Sequence, residues 1–306
     1  MTGIVLRSTG SWYEVLDEQT RKKWKCRLKG RFKNLGIKAT NPVAVGDEVA
    51  LEPETEDTAI IVDILPRTNF VARRSVHKTA HSHILAANID QAVLVVTLTF
   101  PVTSLGFIDR FLVTTESFRI PTVLVFNKQD LIQEEWKEVQ EQVLDIYRSI
   151  GYPCILTDAL SGRGVEELRK CLQGRKSLLS GHSGVGKSTL MNTLYPGLNL
   201  KTQAISNFAR KGVHTTTFAE MHVCEADTYI IDSPGIKELG LFGIEPDEIS
   251  HYFPEMRALL NSCRYHNCRH IEEPGCAVKE AVNQGEISIT RYESYLSMIA
   301  GDDNRR

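Results

Sequence analysis

The chain has 306 residues, of which 42% are apolar and 24% are charged, so we expect about two or three globular domains. This composition excludes collagen-like, coiled-coil and wholly disordered chains, and no apolar run is long enough to predict a membrane span. The first residues do not resemble a signal peptide, which predicts a cytoplasmic protein. The net charge is only −2, but residues 1–47 hold ten Lys or Arg against four acids, a local charge of +6. That surplus fits nucleic-acid binding as well as it fits a solvated face of a small sheet.

Residues 1–66 predict a small β-barrel. Five short segments separated by turns are expected as strands: Gly3–Ser8, Ser11–Leu16, Trp24–Leu28, Val45–Leu51 and Ala59–Leu65. Five short strands are typical of an OB-fold, a barrel that often binds nucleic acids, and an SH3-like barrel is the alternative. The polar stretch that follows, residues 67–87, predicts a linker.

Residues 88–240 predict an α/β domain with parallel strands. Ala92–Leu98 and Thr122–Phe126 are continuous apolar runs, as in strands that are buried on both faces. Helical patterns alternate with further strands, which is typical of a sheet covered by helices on both sides. Helices are expected at Ile108–Ser117, Glu134–Ile150 and Thr189–Leu194. Strands are expected at Cys154–Thr157, Ser177–Ser180 and Thr228–Asp232. Residues 241–306 predict a mainly helical domain with a cysteine-rich interruption.

A glycine-rich segment between a predicted strand and a predicted helix matches the phosphate-binding pattern GxxxxGK[ST]. Glycines allow backbone N–H groups to turn towards phosphate oxygens, and the helix N-terminus adds positive potential. We expect Lys187 to reach the β- and γ-phosphates and Ser188 to bind Mg²⁺. The candidate nucleotide-binding residues of this P-loop are Gly181, His182, Ser183, Gly184, Val185, Gly186, Lys187, Ser188 and Thr189.

Asn127, Lys128 and Asp130 follow a predicted strand and match NKxD, the guanine-recognition motif of GTPases. Asp130 can accept hydrogen bonds from guanine N1–H and the 2-amino group, and adenine offers neither donor. We expect Lys128 to lie over the base and Asn127 to tie the loop together. Asp158 and Ala159 follow another predicted strand, at the place of the S-A-x loop of GTPases. We expect the Ala159 backbone N–H to contact guanine O6.

Two further segments predict contacts to Mg²⁺ and to the γ-phosphate. Asp232 and Gly235 match DxxG, in which the aspartate holds Mg²⁺ through water and the glycine N–H contacts the γ-phosphate. Thr216 lies in a threonine run between the P-loop and DxxG and is the expected switch threonine, with Thr215 and Thr217 as alternatives. The expected Mg²⁺ ligands are therefore Ser188, Thr216 and Asp232.

The order of these motifs along the chain is unusual. NKxD at 127–130 precedes the P-loop at 181–188 and DxxG at 232–235, whereas in common GTPases the P-loop comes first. Because a permuted chain keeps the three-dimensional site and moves only the termini, the order predicts a circularly permuted GTPase domain.

Three cysteines and one histidine lie within fourteen residues, at Cys263, Cys268, His270 and Cys276. This set is complete for a tetrahedral Cys₃His site and leaves no position for a catalytic water, so it predicts one structural Zn²⁺. His266 lies between the cysteines and is the alternative to His270. The remaining four of the seven cysteines are scattered along the chain, which argues against a disulfide framework.

In this order, the barrel, NKxD, the P-loop, the threonine run, DxxG and the cysteine–histidine cluster resemble the RsgA family, also called YjeQ or YloQ, over nearly the whole chain. The resemblance implies an OB-fold, a circularly permuted P-loop GTPase domain and a zinc-binding domain, and it favours His270 as the zinc ligand. It implies a GTP hydrolase stimulated by the small (30S) ribosomal subunit, which binds that subunit and its rRNA late in assembly and leaves on hydrolysis. We expect a monomer with no membrane partner.

The chain departs from the family pattern in two places. Ile236 stands where many GTPases carry a catalytic glutamine, and Gly243 stands where better-known members carry a candidate catalytic histidine. His214 is then the nearest candidate catalytic side chain in sequence, unless the ribosome supplies the group. Asp158 stands where the family usually has serine, which leaves the backbone contact of Ala159 in place but changes the hydrogen bonding within its loop.

Two other classes of function are compatible with parts of the sequence. The first is an RNA-binding protein with a degenerate nucleotide site, against which the intact Lys187, Ser188, Asp130 and Asp232 argue. The second is a P-loop phosphotransferase acting on a small molecule, which would need neither NKxD nor a zinc cluster.

Overall fold

The computed structural model describes residues 1–30, 42–74, 82–200, 219–232, 241 and 243–301. Within these ranges, no helix is both long enough and apolar enough to cross a membrane.

The N-terminal strands close into a five-stranded barrel. They are β1 (Thr2–Ser8), β2 (Tyr13–Asp17), β3 (Lys23–Leu28), β4 (Glu48–Pro53) and β5 (Thr58–Ile64). The strands pair in the order β1-β2-β3-β5-β4, β4 returns to β1, and β3 and β5 run parallel. This closure with one parallel pair confirms the OB-fold prediction over the SH3-like alternative. The interior is filled by Val5, Tyr13, Val15, Cys26, Val43, Val49, Leu51, Ala59 and Ile61.

The structure differs from the linker expected over residues 67–87. Strands β6 (Phe70–Arg74) and β7 (Ser82–Ala87) form an antiparallel hairpin, and a bridge between Val45 and Ala86 joins it to the barrel. The prediction relied on the charged residues of this stretch and overlooked its small apolar ones. These are buried, since Val71, Ala72, Leu85, Ala86 and Ala87 are each less than a tenth exposed.

The central sheet has helices on both faces, as predicted. Its strands are β8 (Gln91–Val96), β9 (Thr122–Phe126), β10 (Cys154–Leu156), β11 (Lys176–Ser180), β12 (Glu220–Glu225) and β13 (Thr228–Asp232). They lie in the order β10-β9-β8-β11-β13-β12, and all neighbours are parallel except β12 and β13. Strand β12 also pairs with β1, so the sheet and the barrel are continuous in the described part of the chain.

Alternate residues of β8 face two separate apolar cores, which is why this strand is apolar throughout. Ala92, Leu94 and Val96 pack in the core beneath α1 (Leu105–Ser117) and α2 (Lys137–Ser149). Val93 and Val95 pack in the core beneath α3 (Val165–Leu172) and α4 (Lys187–Leu194).

The C-terminal region is helical and packs on α1. It contains a 3₁₀ segment at Pro246–Tyr252, then α5 (Pro254–Arg257), α6 (Ala277–Asn283) and α7 (Ile289–Ala300). Arg291 of α7 is 1% exposed and forms ion pairs with Asp109 of α1 and Glu255 of α5, both at 2.7 Å. Burial opposes the charge on Arg291, but the two carboxylates outweigh burial and raise its pKa above the usual value, so the guanidinium stays charged.

We predict that Asp47→Ala destabilises the barrel by about 2 kcal/mol. The Asp47 carboxylate is fully buried, accepts two hydrogen bonds from Arg67 at 2.6 and 2.7 Å, and accepts a third from the Ala44 backbone N–H at 2.8 Å. Urea unfolding followed by fluorescence of the barrel residues Trp12 and Trp24 measures the loss.

Glu54→Ala is the matched control for this prediction, because Glu54 also pairs with an arginine, Arg27, but both side chains are more than a third exposed. It should cost less than about 1 kcal/mol. Equal costs for the two variants would contradict a special role for the buried pair.

Candidate functional site

The P-loop leaves the carboxyl end of β11 and enters α4, and its glycines adopt backbone conformations that favour glycine. Gly181, Gly184 and Gly186 have φ values of +138°, +85° and +93°. A Cβ atom would lie 2.2 Å from the Val95 carbonyl oxygen at Gly181 and 2.5 Å from the Asn127 side chain at Gly186. The loop therefore needs glycine at both positions for steric reasons as well as for its φ values.

Lys187 lies at the first position of α4, and its ammonium group folds back over the loop. Its Nζ donates hydrogen bonds to the backbone carbonyls of Gly181 at 2.8 Å and His182 at 2.7 Å. The positive charge thus sits above the loop that is expected to surround the phosphates. Val185 is fully buried and anchors the loop in the sheet core, and Ser188 and Thr189 follow in the first helical turn.

The Asn127 side chain joins three segments of the site. It is 2% exposed, its Nδ2 donates to the Val185 carbonyl at 2.8 Å, and its Oδ1 accepts from the Thr157 hydroxyl at 3.0 Å. The NKxD loop, the P-loop and the end of β10 are therefore held together by one amide, as expected for Asn127.

The rest of the NKxD loop extends from this anchor. Lys128 has a left-handed backbone with φ of +63°, and its Nζ donates to the Phe100 carbonyl at 2.8 Å. Partial burial lowers the pKa of Lys128, and the neighbouring Asp130 carboxylate opposes this shift. Asp130 is exposed in a 3₁₀ turn at Gln129–Leu131, where its carboxylate is accessible to a base.

Asp158 uses its carboxylate to shape its own loop. It is 6% exposed, and its Oδ1 accepts from the Leu160 backbone N–H at 2.9 Å. Burial would raise its pKa, but hydrogen bonds from Ser161 and Leu160 outweigh burial and lower the pKa. The carbonyl of the next residue, Ala159, accepts a hydrogen bond from the Thr193 hydroxyl of α4 at 3.1 Å. The loop thus accommodates an aspartate at position 158.

Asp232 ends β13, directly beside Leu179 of β11, so its carboxylate lies at the same sheet edge as the P-loop. Thr216 with its alternatives Thr215 and Thr217, the candidate catalytic His214, and Gly235 all lie outside the described residues. Of the three expected Mg²⁺ ligands, the structure therefore places Ser188 and Asp232.

The structure also shows a contact of the P-loop that the sequence motifs did not reveal. The Phe107 ring of α1 packs on His182, with ring centroids 3.9 Å apart. His182 belongs to the P-loop motif, whereas Phe107 belongs to no motif and is far from it in the chain. A motif within one segment cannot predict a contact with a distant segment.

A second cluster is formed by Cys263, Cys268, His270 and Cys276, whose ligand atoms all lie within 4.8 Å of one another. His270 Nδ1 is 3.6 Å from Cys263 Sγ and 3.4 Å from Cys276 Sγ, which fits neighbouring corners of a tetrahedral metal site. His266, the alternative ligand, is exposed and outside the cluster. These residues therefore fit Zn²⁺ through His270 Nδ1 and three thiolates.

The loop that carries the cluster is held by hydrogen bonds to its backbone. The hydroxyls of Tyr292 and Tyr295 on α7 donate to the carbonyls of His270 and Arg269, both at 2.6 Å. Glu273 accepts from three backbone N–H groups of the same loop. Burial would raise its pKa, but these hydrogen bonds lower it to about 2. The ligand geometry is thus fixed by the helical region around it.

We predict that His270→Ala removes bound zinc and lowers the thermal stability of the chain, because three thiolates cannot complete the tetrahedron. Metal analysis of purified protein and a thermal melt measure both effects. His266→Ala should keep one zinc per chain and the wild-type melting temperature. Zinc retained by His270→Ala and lost from His266→Ala would show that the ligand assignment is wrong.

Comparisons with known proteins cover the whole chain. Residues 64–242 match the family model for the RsgA GTPase, and residues 2–61 match the model for the RsgA N-terminal domain. The small ribosomal subunit biogenesis GTPase RsgA of Cytophaga hutchinsonii is 53% identical over 308 residues and covers 100% of both chains. The protein of the same name from Bacteroides fragilis is 50% identical over 299 residues, which is 98% of this chain and 96% of that one.

Two solved structures are also similar. The crystal structure of YjeQ from Thermotoga maritima has a TM-score of 0.83 at 36% identity, covering 100% of this chain and 99% of that chain. The structure of YloQ, described as a circularly permuted GTPase, has a TM-score of 0.77 at 30% identity, covering 100% and 96%. With a family model over more than half of its length and relatives of about half identity over all of it, the chain belongs to the RsgA GTPase family.

Proposed function

We propose that this GTPase acts late in the biogenesis of the small (30S) ribosomal subunit, binds the subunit and its rRNA, and is released when GTP is hydrolysed. The observation that supports this most directly is the continuity of three parts in one chain. A guanine-nucleotide site lies at the edge of a sheet that is joined to an OB-fold on one side and packs against a helical cysteine–histidine region on the other. The relatives that match over the full length are named as small ribosomal subunit biogenesis GTPases.

Different residues of the site bind the guanine base, the phosphates and Mg²⁺. Asp130 accepts from the guanine N1–H and 2-amino groups, the Ala159 N–H donates to guanine O6, and Asn127 fixes the loops around the base. The backbone N–H groups of the P-loop surround the phosphates, and the Lys187 ammonium moves from the Gly181 and His182 carbonyls to the β- and γ-phosphates. Ser188, Thr216 and Asp232 would hold Mg²⁺, which neutralises developing negative charge when bound, and the Gly235 N–H donates to the γ-phosphate.

The group that orients the attacking water differs from the catalytic glutamine of many GTPases. Ile236 is apolar and cannot orient water, and Gly243 has no side chain. The water is therefore oriented either by His214 or by a group of the ribosomal subunit. A chain without its own orienting group hydrolyses GTP slowly until it meets its partner, which fits a factor whose departure must await a correct subunit.

The two flanking regions supply the binding surface for the partner. On the barrel, Lys25 and Arg27 lie over the Trp12 ring, with the Lys25 Nζ 4.6 Å and the Arg27 guanidinium 5.5 Å from its centroid. Trp12 is partly exposed, and cations beside such an aromatic ring suit phosphates and stacked bases of RNA. The Cys₃His cluster would hold one structural Zn²⁺, because four protein ligands close the coordination shell. We further propose that the protein is a cytoplasmic monomer that alternates between GTP and GDP and does not bind membranes.

We predict that isolated small subunits stimulate GTP hydrolysis by the wild-type protein, and that Lys187→Ala lowers the stimulated rate at least about a hundredfold. Phosphate release is measured with small subunits, with large subunits and with neither. Stimulation by large subunits alone would contradict the proposal. Nucleotide-insensitive binding to rRNA, without hydrolysis, would favour an RNA-binding protein with a degenerate GTPase site.

We predict that Asp130→Asn lowers the affinity for GTP by roughly tenfold to a hundredfold and shifts preference towards xanthosine triphosphate, because the amide replaces an acceptor with a donor. Equilibrium binding of the two nucleotides measures the shift. Asp145→Asn, at an exposed position of α2, is the matched control and should leave both affinities unchanged. Unchanged selectivity in Asp130→Asn would remove Asp130 from base recognition.

A further inference from the structure

We propose that helix α1 mechanically couples the P-loop to the C-terminal helical region, with Phe107 and Asp109 as the positioning residues at its two contacts. The inference rests on the nucleotide-binding role proposed above for residues 181–189. It concerns a route separate from the DxxG segment, because α1 lies between β8 and β9 and contains none of the nucleotide motifs.

The first contact joins α1 to the P-loop. The Phe107 ring is 4% exposed and packs on His182 with a centroid distance of 3.9 Å. Just before α1, Pro101 faces the loop, since a Cβ atom at Gly184 would lie 3.5 Å from its ring. The segment leading into α1 and its first turn therefore support two of the P-loop residues that are expected to surround the phosphates.

The backbone carbonyl of His182 is bonded to the Lys187 ammonium group, which is expected to contact the phosphates. This carbonyl accepts a hydrogen bond from Lys187 Nζ at 2.7 Å. A bound nucleotide draws this ammonium to the phosphates and leaves the carbonyl without that donor. Because the ring of the same residue is packed on Phe107, a change in the His182 backbone is transmitted to α1.

The second contact joins α1 to the C-terminal region through buried charges. Asp109 is 0% exposed, pairs with Arg291 at 2.7 Å and accepts a hydrogen bond from the Tyr147 hydroxyl at 2.9 Å. Arg291 also pairs with Glu255, and its guanidinium lies 4.4 Å from the centre of the Phe253 ring. Buried ion pairs tolerate little separation, so α1 and α7 must move together or lose this contact.

Helix α1 can transmit a displacement because it belongs to both cores. Phe107, Ile108, Phe111 and Leu112 pack in the core of the central sheet, and Val113 packs in the C-terminal core with Phe253 and Met298. Phe107 and Asp109 are two residues apart, about 3 Å along the helix axis. A displacement of the helix at Phe107 therefore also displaces Asp109. Binding coupled in this way is reciprocal, so a change beside α7 must alter nucleotide affinity.

The test is a double-mutant cycle on the full-length protein, read by the dissociation rate of a fluorescent methylanthraniloyl-GDP. Phe107→Leu removes the ring contact and should speed dissociation about threefold to tenfold. Tyr147→Phe removes only the hydroxyl that holds Asp109, and should speed dissociation about twofold to fivefold. The double variant should show less than the product of the two effects, since both act through α1.

Two further variants separate coupling from general destabilisation. Tyr295→Phe removes a similarly buried hydroxyl of the C-terminal region that bonds the Arg269 carbonyl instead of α1, and should leave dissociation unchanged. Phe107→Tyr keeps the ring and should restore the wild-type rate. In steady-state hydrolysis, Phe107→Leu and Tyr147→Phe should raise KM for GTP and leave kcat within about twofold.

The outcomes separate this inference from the proposed function. A wild-type chain that does not bind the fluorescent nucleotide contradicts the nucleotide site itself. A wild-type chain that binds it, with Tyr147→Phe indistinguishable from Tyr295→Phe, overturns the coupling through α1 and leaves the GTPase assignment intact. Strictly multiplicative effects of Phe107→Leu and Tyr147→Phe would also overturn it, because independent sites share no element.

Discussion

The nucleotide site depends on one buried amide, the side chain of Asn127. It bonds the P-loop carbonyl of Val185 on one side and the Thr157 hydroxyl on the other, and it approaches Gly186 so closely that no Cβ fits there. The Val185 carbonyl needs a donor and the Thr157 hydroxyl donates to an acceptor, and an amide side chain supplies both. A carboxylate at this position could not donate to the carbonyl, and an ammonium could not accept from the hydroxyl. The NKxD loop and the P-loop are therefore held at a fixed separation.

This geometry explains why the motifs can appear in permuted order. Strands β8, β9, β10, β11 and β13 are parallel neighbours, so the segments that follow them all start from one edge of the sheet. The distance between two loops is set by the positions of their strands in the sheet and is independent of their order in the chain. Permutation does change what comes next, because the strand that ends at Asp232 now leads towards the C-terminal region, where the cysteine–histidine cluster lies. The cysteine–histidine region therefore follows the nucleotide site in the chain, and the arrangement of the parallel strands is unchanged.

Much of the fold and of the candidate site followed from local patterns. The predicted bounds of β9 and β13, Thr122–Phe126 and Thr228–Asp232, agree with the structure because continuous β-branched and aromatic runs identify buried strands. The P-loop and the cysteine–histidine cluster were found because their chemistry requires given residue types at short, fixed spacings. Resemblance as well as spacing favoured His270 over His266, and in the fold His270 is buried within the cluster whereas His266 is exposed and outside it.

Features that depend on distant residues did not follow from such patterns. In the sequence pattern, Trp136, just before α2, and Val139 share an apolar face with Val143 and Tyr147. In the structure both Trp136 and Val139 are about half exposed, and the buried face of α2 includes Gln140, Val143 and Leu144. An amphipathic pattern shows which residues form an apolar stripe on a helix. It does not show which part of that stripe faces the neighbouring sheet.

The pairing of Asp109 with Arg291 is the feature that the sequence predicts least. Each charge, taken in its own helix, resembles an ordinary solvated residue, because 182 positions separate them and no motif joins them. Apolar side chains at these two positions would allow α7 to pack on α1 in several rotations, since hydrophobic contact has no direction. A guanidinium that must meet Asp109 and Glu255 at once permits only one rotation. The same α7 carries Tyr292 and Tyr295, whose hydroxyls hold the loop of the cysteine–histidine cluster, so the rotation of one helix fixes the position of the cluster relative to the nucleotide site.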